Sequence, residues 1–138
     1  MISILKSTGA VFAGLVVAVA PLYACEAIGH RIWPLPEGVD PKNLEALRAA
    51  IAGMPVGAFV SILAGWAIGS IGGGFLAGIL APGRRVLHAV LLGAVSHALG
   101  IMTMLTIPHP AWFRTPSLLA FIPPAALGGC LAARCRRK

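Results

Sequence analysis

The sequence predicts an all-α integral membrane protein, built as a bundle of four transmembrane helices in a single domain. Of its 138 residues, 58% are hydrophobic and only 11% are charged, and the mean hydropathy is +0.89. A soluble domain carries about 25% charged residues. The charged residues also divide the chain into four long uncharged windows, and each window holds one helix of about 20 apolar residues.

Sequence signals for helix ends place the four spans. The first span ends at the run 33–36, because proline lacks an amide donor and restricts the residue before it. Pro82 ends the second span, and Pro108 ends the third. Thr115 followed by Pro116 predicts an N-cap and a first helical residue for the fourth. The predicted spans are residues 7–32, 55–81, 86–107 and 115–133.

A short amphipathic helix is predicted at residues 41–52, between the first two spans. Asp40 followed by Pro41 again has the pattern of an N-cap and a first helical residue. Leu44, Leu47 and Ile51 recur at helical spacing and have charged residues around them. Such a segment is typical of a helix that lies on a membrane surface. We expect it in the first extracytoplasmic loop.

The net charge of +7 fits membrane orientation better than nucleic-acid binding, because the cations flank the apolar windows. With four spans, both termini and the middle loop share one side. That side holds seven cations and no acid: Lys6, Arg84, Arg85, Arg134, Arg136, Arg137 and Lys138. The other side holds the remaining four cations and all four acids. The positive-inside rule therefore predicts cytoplasmic termini, with the lipid bilayer as partner and no nucleic acid.

The second span carries a stripe of glycines spaced mostly by four residues: Gly57, Gly65, Gly69 and Gly73. Small residues at this spacing let two helix backbones touch, which drives helix packing in lipid. The pattern does not distinguish a helix of the same chain from another subunit. We therefore expect the chain to pack against itself or against other membrane subunits.

Glu26 and His30 are candidate metal ligands. They lie four residues apart and share a helix face at the predicted outer interface. A carboxylate and an imidazole can ligate a divalent metal, and His109 from the other outer loop would supply a third donor. The alternative is a hydrogen bond or ion pair at the end of the helix.

His97 and Trp66 lie near the middle of their predicted spans. Ionisable residues at that depth are rare and are functional candidates by default. His97 is therefore a candidate for ligand or proton binding, with Trp66 at a similar depth. The alternatives are a neutral imidazole bonded to a neighbouring helix and an indole that fills space beside the glycines.

Several segments resemble a family of small four-span bacterial inner-membrane proteins. They are residues 26–30, 33–40 and 54–58, followed by Trp66 and the glycines after it. The resemblance covers roughly the first 80 residues. It implies a four-helix inner-membrane protein, and it carries no activity, substrate or catalytic residue.

No enzymatic motif accompanies these features. The sequence has no phosphate-binding loop, no G-x-S-x-G elbow, no C-x-x-C pair and no H-E-x-x-H helix. We therefore expect a non-enzymatic subunit or scaffold that packs by its glycine-rich helix contacts into a homo-oligomer or a larger membrane complex. The alternatives are a small oligomeric transporter or channel with a midplane site, and a metal- or haem-binding membrane protein.

The predicted orientation can be measured with reporter fusions. A reporter fused after Lys138 should read cytoplasmic, and one inserted beside Asp40 should read extracytoplasmic, because the cations are concentrated on the side of the termini. Alkaline phosphatase and a green fluorescent protein report the two sides in complementary ways. An extracytoplasmic signal at Lys138 would mean that the number of spans or the orientation is wrong.

Overall fold

The computed structural model describes residues 2–40, 42–107 and 109–136, and this part of the chain contains helices and no strand. A 3-10 turn, Ala111–Phe113, leads directly into α5. The helices are α1 (Ile2–Ile32), α2 (Leu44–Ala52), α3 (Val56–Leu80), α4 (Arg85–Thr106), α5 (Arg114–Leu119) and α6 (Ile122–Cys135).

Four segments are long and apolar enough to cross a membrane, which confirms the all-helical class and the predicted number of candidate spans. They are Ile4–Ile32, Val56–Leu80, Arg85–Thr106 and Ala111–Cys135. Their large apolar side chains are widely exposed, as at Leu5, Phe12 and Leu105. A soluble protein of this size would not expose so continuous an apolar surface.

The last of these segments is not the single helix that the sequence predicted for residues 115–133. The helix breaks at Ala120 and Phe121. Pro123 and Pro124 explain the break, because neither can donate a hydrogen bond to the carbonyl four residues before it. Both prolines instead lie in the first turn of α6, where no such donor is needed.

Two predicted helix starts are also corrected. Asn43, rather than Asp40, caps α2, and its side-chain oxygen accepts bonds from two N–H groups of the first turn at 3.1 and 3.2 Å. Asp40 accepts a hydrogen bond from the N–H of Lys42 at 2.9 Å and closes a separate turn. Pro41 lies outside the described residues. Thr115 is not a cap, because the 3-10 turn starts α5 one residue before it.

Helix α3 is the central helix, and its predicted glycine stripe faces α1. A Cβ atom added at Gly69 would collide with the carbonyl oxygen of Ala18. One added at Gly73 would lie 2.5 Å from the carbonyl oxygen of Gly14. Gly65 faces the same helix, with an added Cβ 2.9 Å from that of Cys25. The two backbones therefore touch, and the stripe is covered within the chain.

A second set of glycines fits α6 between α3 and α4. A Cβ atom at Gly74 would collide with the carbonyl oxygen of Ala125. On α6, Gly128 meets the backbone of α3, whereas the next residue, Gly129, faces α4, where an added Cβ would lie 2.6 Å from that of Ala89. Adjacent glycines on one helix thus allow close contact with two neighbours.

The interior changes character along the bundle. Towards the α3–α4 loop it consists of small residues around Leu92, including Ala77 and Ala125. Towards the other end it is aromatic, with the side chains of Phe59, Trp66, Phe113 and Phe121 in one cluster. Glycine and alanine allow the backbones of neighbouring helices to touch, whereas bulky rings hold them apart. The aromatic half is therefore where cavities can form.

A glycine pair in α3 tests the α1–α3 contact. Gly69→Leu should lower the free energy of unfolding by about 1–3 kcal/mol, because the new side chain would overlap α1 backbone. Gly72 lies in the same helix with nothing within 4 Å of an added Cβ, so Gly72→Leu should be neutral or stabilising. Unfolding in mixed micelles, followed by circular dichroism, gives both values. Equal effects of the two substitutions would show that the contact does not hold the bundle together.

Candidate functional site

A cavity of about 440 Å³, called cavity 1, lies at the aromatic end of the bundle. Its size and its mostly apolar walls are those of small-molecule sites in proteins. The end of α1 contributes Glu26, Gly29 and His30, and Trp33 follows directly after this helix. The start of α3 contributes Ala58, Phe59, Ser61 and Ile62, and the end of α4 contributes Thr106 and Ile107.

Helix α2 covers cavity 1. Leu44, Leu47 and Ile51 line the cavity, and these are the residues that the sequence predicted as the apolar face of this helix. Ile51 also packs against the aromatic cluster. The apolar face of α2 is therefore turned towards the bundle.

A second cavity, of about 220 Å³, extends along α1 towards the middle of the bundle. We call it cavity 2. Its walls are largely apolar and come from α1, α3, α4 and Phe121. Its polar groups are Glu26, Ser70, Ser96 and Thr103. Ser70 is only 2% exposed, so this cavity has one hydroxyl-bearing residue deep in an apolar interior.

Glu26 lines both cavities. Its side chain is half-buried. No side-chain hydrogen bond or ion pair among the described residues uses its carboxylate. Ser61 and Thr106, which also line cavity 1, donate to backbone carbonyls of their own helices. Among the described residues, Glu26 is therefore a charged group without an internal partner that lines both cavities.

The predicted three-residue metal site is not assembled. Glu26 and His30 both line cavity 1, but His109 does not. Within the described ranges, no three His, Cys, Asp or Glu side chains form a group that could hold a metal ion. The reason is local: the His109 ring stacks on Phe113, with ring centroids 4.7 Å apart, and its Nδ1 lies 2.7 Å from the carbonyl oxygen of Ile107.

The environment of His109 favours the neutral imidazole. Burial against the aromatic cluster lowers the pKa of His109 below its ordinary value of 6.5, since a charged ring would lose solvation. The hydrogen bond to the Ile107 carbonyl opposes this effect but is the smaller of the two. The ring therefore behaves as part of the aromatic cluster.

Trp66 and His97 both contact the ring of Phe121. The Trp66 and Phe121 centroids are 4.8 Å apart, and the His97 and Phe121 centroids are 5.9 Å apart in an edge-to-face arrangement. Trp66 lines cavity 2. His97 does not line it, although the preceding residue, Ser96, does. The His97 Nδ1 is enclosed and has no hydrogen-bond partner in the described part of the chain.

Sequence reasoning overlooked Phe121, Ser70 and Ser96. Phe121 could have been identified from its position shortly before the proline pair, because a helix break there turns its ring into the bundle. Ser70 and Ser96 interrupt apolar helices, but only the helix rotation shows that they face one cavity. Gly57 has a different role from the rest of its stripe, because its missing side chain makes room for Trp33, whose ring would lie 2.5 Å from an added Cβ.

The two cavities combine one available carboxylate with aromatic walls. Trp33 and Phe59 line cavity 1, and Trp66 and Phe121 line cavity 2. No model of a protein family, no curated protein and no solved structure matches the chain. Its chemistry must therefore be inferred from these residues, which suit a positively charged, largely apolar ligand.

The state of His109 can be read from a pH titration. The folded protein favours the neutral ring, so below pH 6.5 the unfolded chain binds more protons than the folded one. Stability should therefore be greatest above pH 6.5 and fall as the pH drops towards the lowered pKa. NMR of the imidazole protons gives the pKa directly. His109→Gln should remove this part of the dependence of stability on pH. His30→Gln, at an exposed site, should retain it. A His109 pKa above 6.5 would contradict this expectation.

Proposed function

We propose that the chain is a multi-pass protein of the bacterial inner membrane with cytoplasmic termini. Three observations support this placement. Four segments have the length and apolarity of spans, and large apolar side chains cover their outer faces. The cations of the sequence concentrate on the side that holds both termini and the α3–α4 loop.

Within this placement, the protein is a non-enzymatic binding protein for small lipophilic organic cations. The position of Glu26 carries the proposal: its carboxylate has no partner among the described residues and lines two apolar, aromatic-lined cavities. Such a ligand would place its positive charge at this carboxylate and its apolar groups in the two cavities. This is the function of a small transporter or of its substrate-binding subunit.

The depth of Glu26 supports a cationic ligand. Ala18 packs on Gly69 near the middle of α3, and Glu26 lies eight residues from Ala18, about 12 Å along the helix. The hydrocarbon core extends about 15 Å from its centre, so the carboxylate lies just inside its edge. A charge at that depth is costly unless it is hydrated or paired. A bound cation would provide that pairing.

Aromatic walls add to the selectivity for organic cations. A cation over the face of an aromatic ring gains about 0.5–2 kcal/mol, more when water is excluded. The volume of cavity 1 alone, about 440 Å³, is within the usual range of about 300–1,000 Å³ for ligand pockets. A bare metal ion would use neither the volume nor the walls.

Assembly with another subunit is a second proposal, but by a different surface from the predicted glycine stripe. Gly69 and Gly73 already contact α1, so they offer no surface to a partner. The seam between α1 and α4, where cavity 2 lies, is the surface that a second copy could close. Native mass spectrometry from detergent would detect such a dimer.

Binding of methyltriphenylphosphonium tests the cation site. Its neutral comparator is triphenylphosphine oxide, which has a similar shape and no net charge. The wild-type protein in lipid nanodiscs should bind the cation in preference to the oxide. Glu26→Gln should weaken cation binding by at least about tenfold, equal to about 1.4 kcal/mol, because it removes the charge and keeps the side-chain shape.

Glu37→Gln is the matched control, since Glu37 is an exposed carboxylate in the turn after α1. This variant should bind the cation as the wild type does. Isothermal titration calorimetry measures all the affinities. Equal binding of the cation by the wild type and Glu26→Gln would refute the proposal, and a loss in Glu37→Gln of the same size would reduce it to a general charge effect.

A further inference from the structure

A third pocket lies at the opposite end of the bundle from cavities 1 and 2, between the start of α4 and the end of α6. It measures about 450 Å³ and is lined by Gly83, Arg84, Arg85, Val86, Leu87 and Ala133. We call it the arginine pocket. It shares no residue with the other two cavities, so whatever it binds is separate from the cation site.

The two arginines of this pocket have no anionic partner in the described part of the chain. The four acids of the sequence all lie between residues 26 and 45, at or near the other end. The Nε of Arg85 is enclosed without a hydrogen-bond partner, and the side chain of Arg84 is exposed. The guanidinium groups of both arginines therefore have no anion to pair with in this part of the chain, and an anion in the pocket would pair with them.

The backbone of the pocket is held in place by its neighbours. Arg84 has the left-handed conformation, with φ 44° and ψ 51°, which costs energy for a residue other than glycine. The buried ring of His88 lies with Nδ1 3.2 Å from the Arg84 carbonyl oxygen. Gly78 and Gly129 let α3 and α6 approach the carbonyl of Arg85. The two guanidinium groups therefore start from a fixed backbone.

We propose that the arginine pocket binds the phosphate diester of an anionic phospholipid. Arginine recognises phosphate through several N–H groups of one planar fork. The lining also includes the exposed apolar side chains of Val86 and Leu87, which suit the glycerol and first acyl carbons of a lipid better than a free phosphate ion. Basic pockets between transmembrane helices are typical sites for anionic headgroups.

This proposal rests on the membrane placement proposed above and is independent of the cation site. Failure of phosphonium binding would leave it intact, because the two sites share no residue. Failure of lipid binding would likewise leave the cation site intact. Reporter fusions separately test the placement itself.

Native mass spectrometry of protein released from nanodiscs measures lipid retention. In nanodiscs with equal phosphatidylglycerol and phosphatidylcholine, the wild type should retain the anionic lipid selectively. Arg84→Gln and Arg85→Gln should each lower that retention by about tenfold, as expected for the loss of a charge-assisted bond to phosphate. Arg85→Lys keeps the charge but loses the planar fork, so its lipid retention should lie between that of the wild type and that of Arg85→Gln.

Arg136→Gln is the matched control, because Arg136 is an exposed cation at the same end that does not line the pocket. It should retain the anionic lipid as the wild type does. A loss in Arg136→Gln equal to that in Arg84→Gln would overturn the proposal in favour of diffuse surface charge. Displacement of the lipid by millimolar inorganic phosphate would also overturn it and assign the pocket to a soluble anion. Arg84→Gln keeps the test valid if Arg85→Gln fails to fold, since its side chain is exposed.

Discussion

Backbone contact between α3 and its neighbours is the interaction on which the rest of the structure depends. Apolar side chains gain little by packing against each other in place of lipid, so helices in a bilayer associate mainly through close van der Waals contact. Gly69 and Gly73 allow this contact on the α1 side of α3, and Gly74 and Gly128 allow it on the α6 side. Because α3 is fixed on two faces, it sets the positions of the surrounding helices.

The change from glycine to aromatic residues along α3 then creates the cavities. Near Gly73 the helices touch, whereas Phe59 and Trp66 fill the space between them nearer the start of α3. Rigid rings leave gaps where they do not match their neighbours in shape. The break before Pro123 adds the ring of Phe121 to this region. The close helix packing at one end and the cavities at the other thus both follow from the change from glycine to aromatic residues along α3.

The sequence predicted the helices well because their signals are local. Apolar windows and prolines placed the ends of the candidate spans within a few residues. The largest difference is at the start of the first span, which begins earlier than predicted. The break at Ala120 was missed because Pro123 and Pro124 were read as lying inside a continuous helix. The cap at Asn43 was missed because Asp40 competes for the same role and forms its own turn.

The candidate site was less predictable, because it depends on helix rotation and loop direction. Helical spacing correctly paired Glu26 with His30 along one cavity. Nothing local indicated that His109 would stack on Phe113 and turn away from them. Likewise, the spacing of Ser96 and Ser70 says nothing about their shared cavity until α3 and α4 are packed. Contacts between distant segments decided these outcomes.

The charges at the two ends of the bundle pose the same physical problem in opposite signs. Within the described ranges, Glu26 lies in a mostly apolar setting without a cationic partner, and the Nε of Arg85 is enclosed without an acceptor. A structural ion pair would solve both problems, but the two residues lie at opposite ends of the bundle and cannot meet. Each charge must therefore be compensated from outside the chain, by solvent or by a ligand. A ligand that carries both charge and apolar surface would compensate the charge at either end and also contact the apolar side chains beside it.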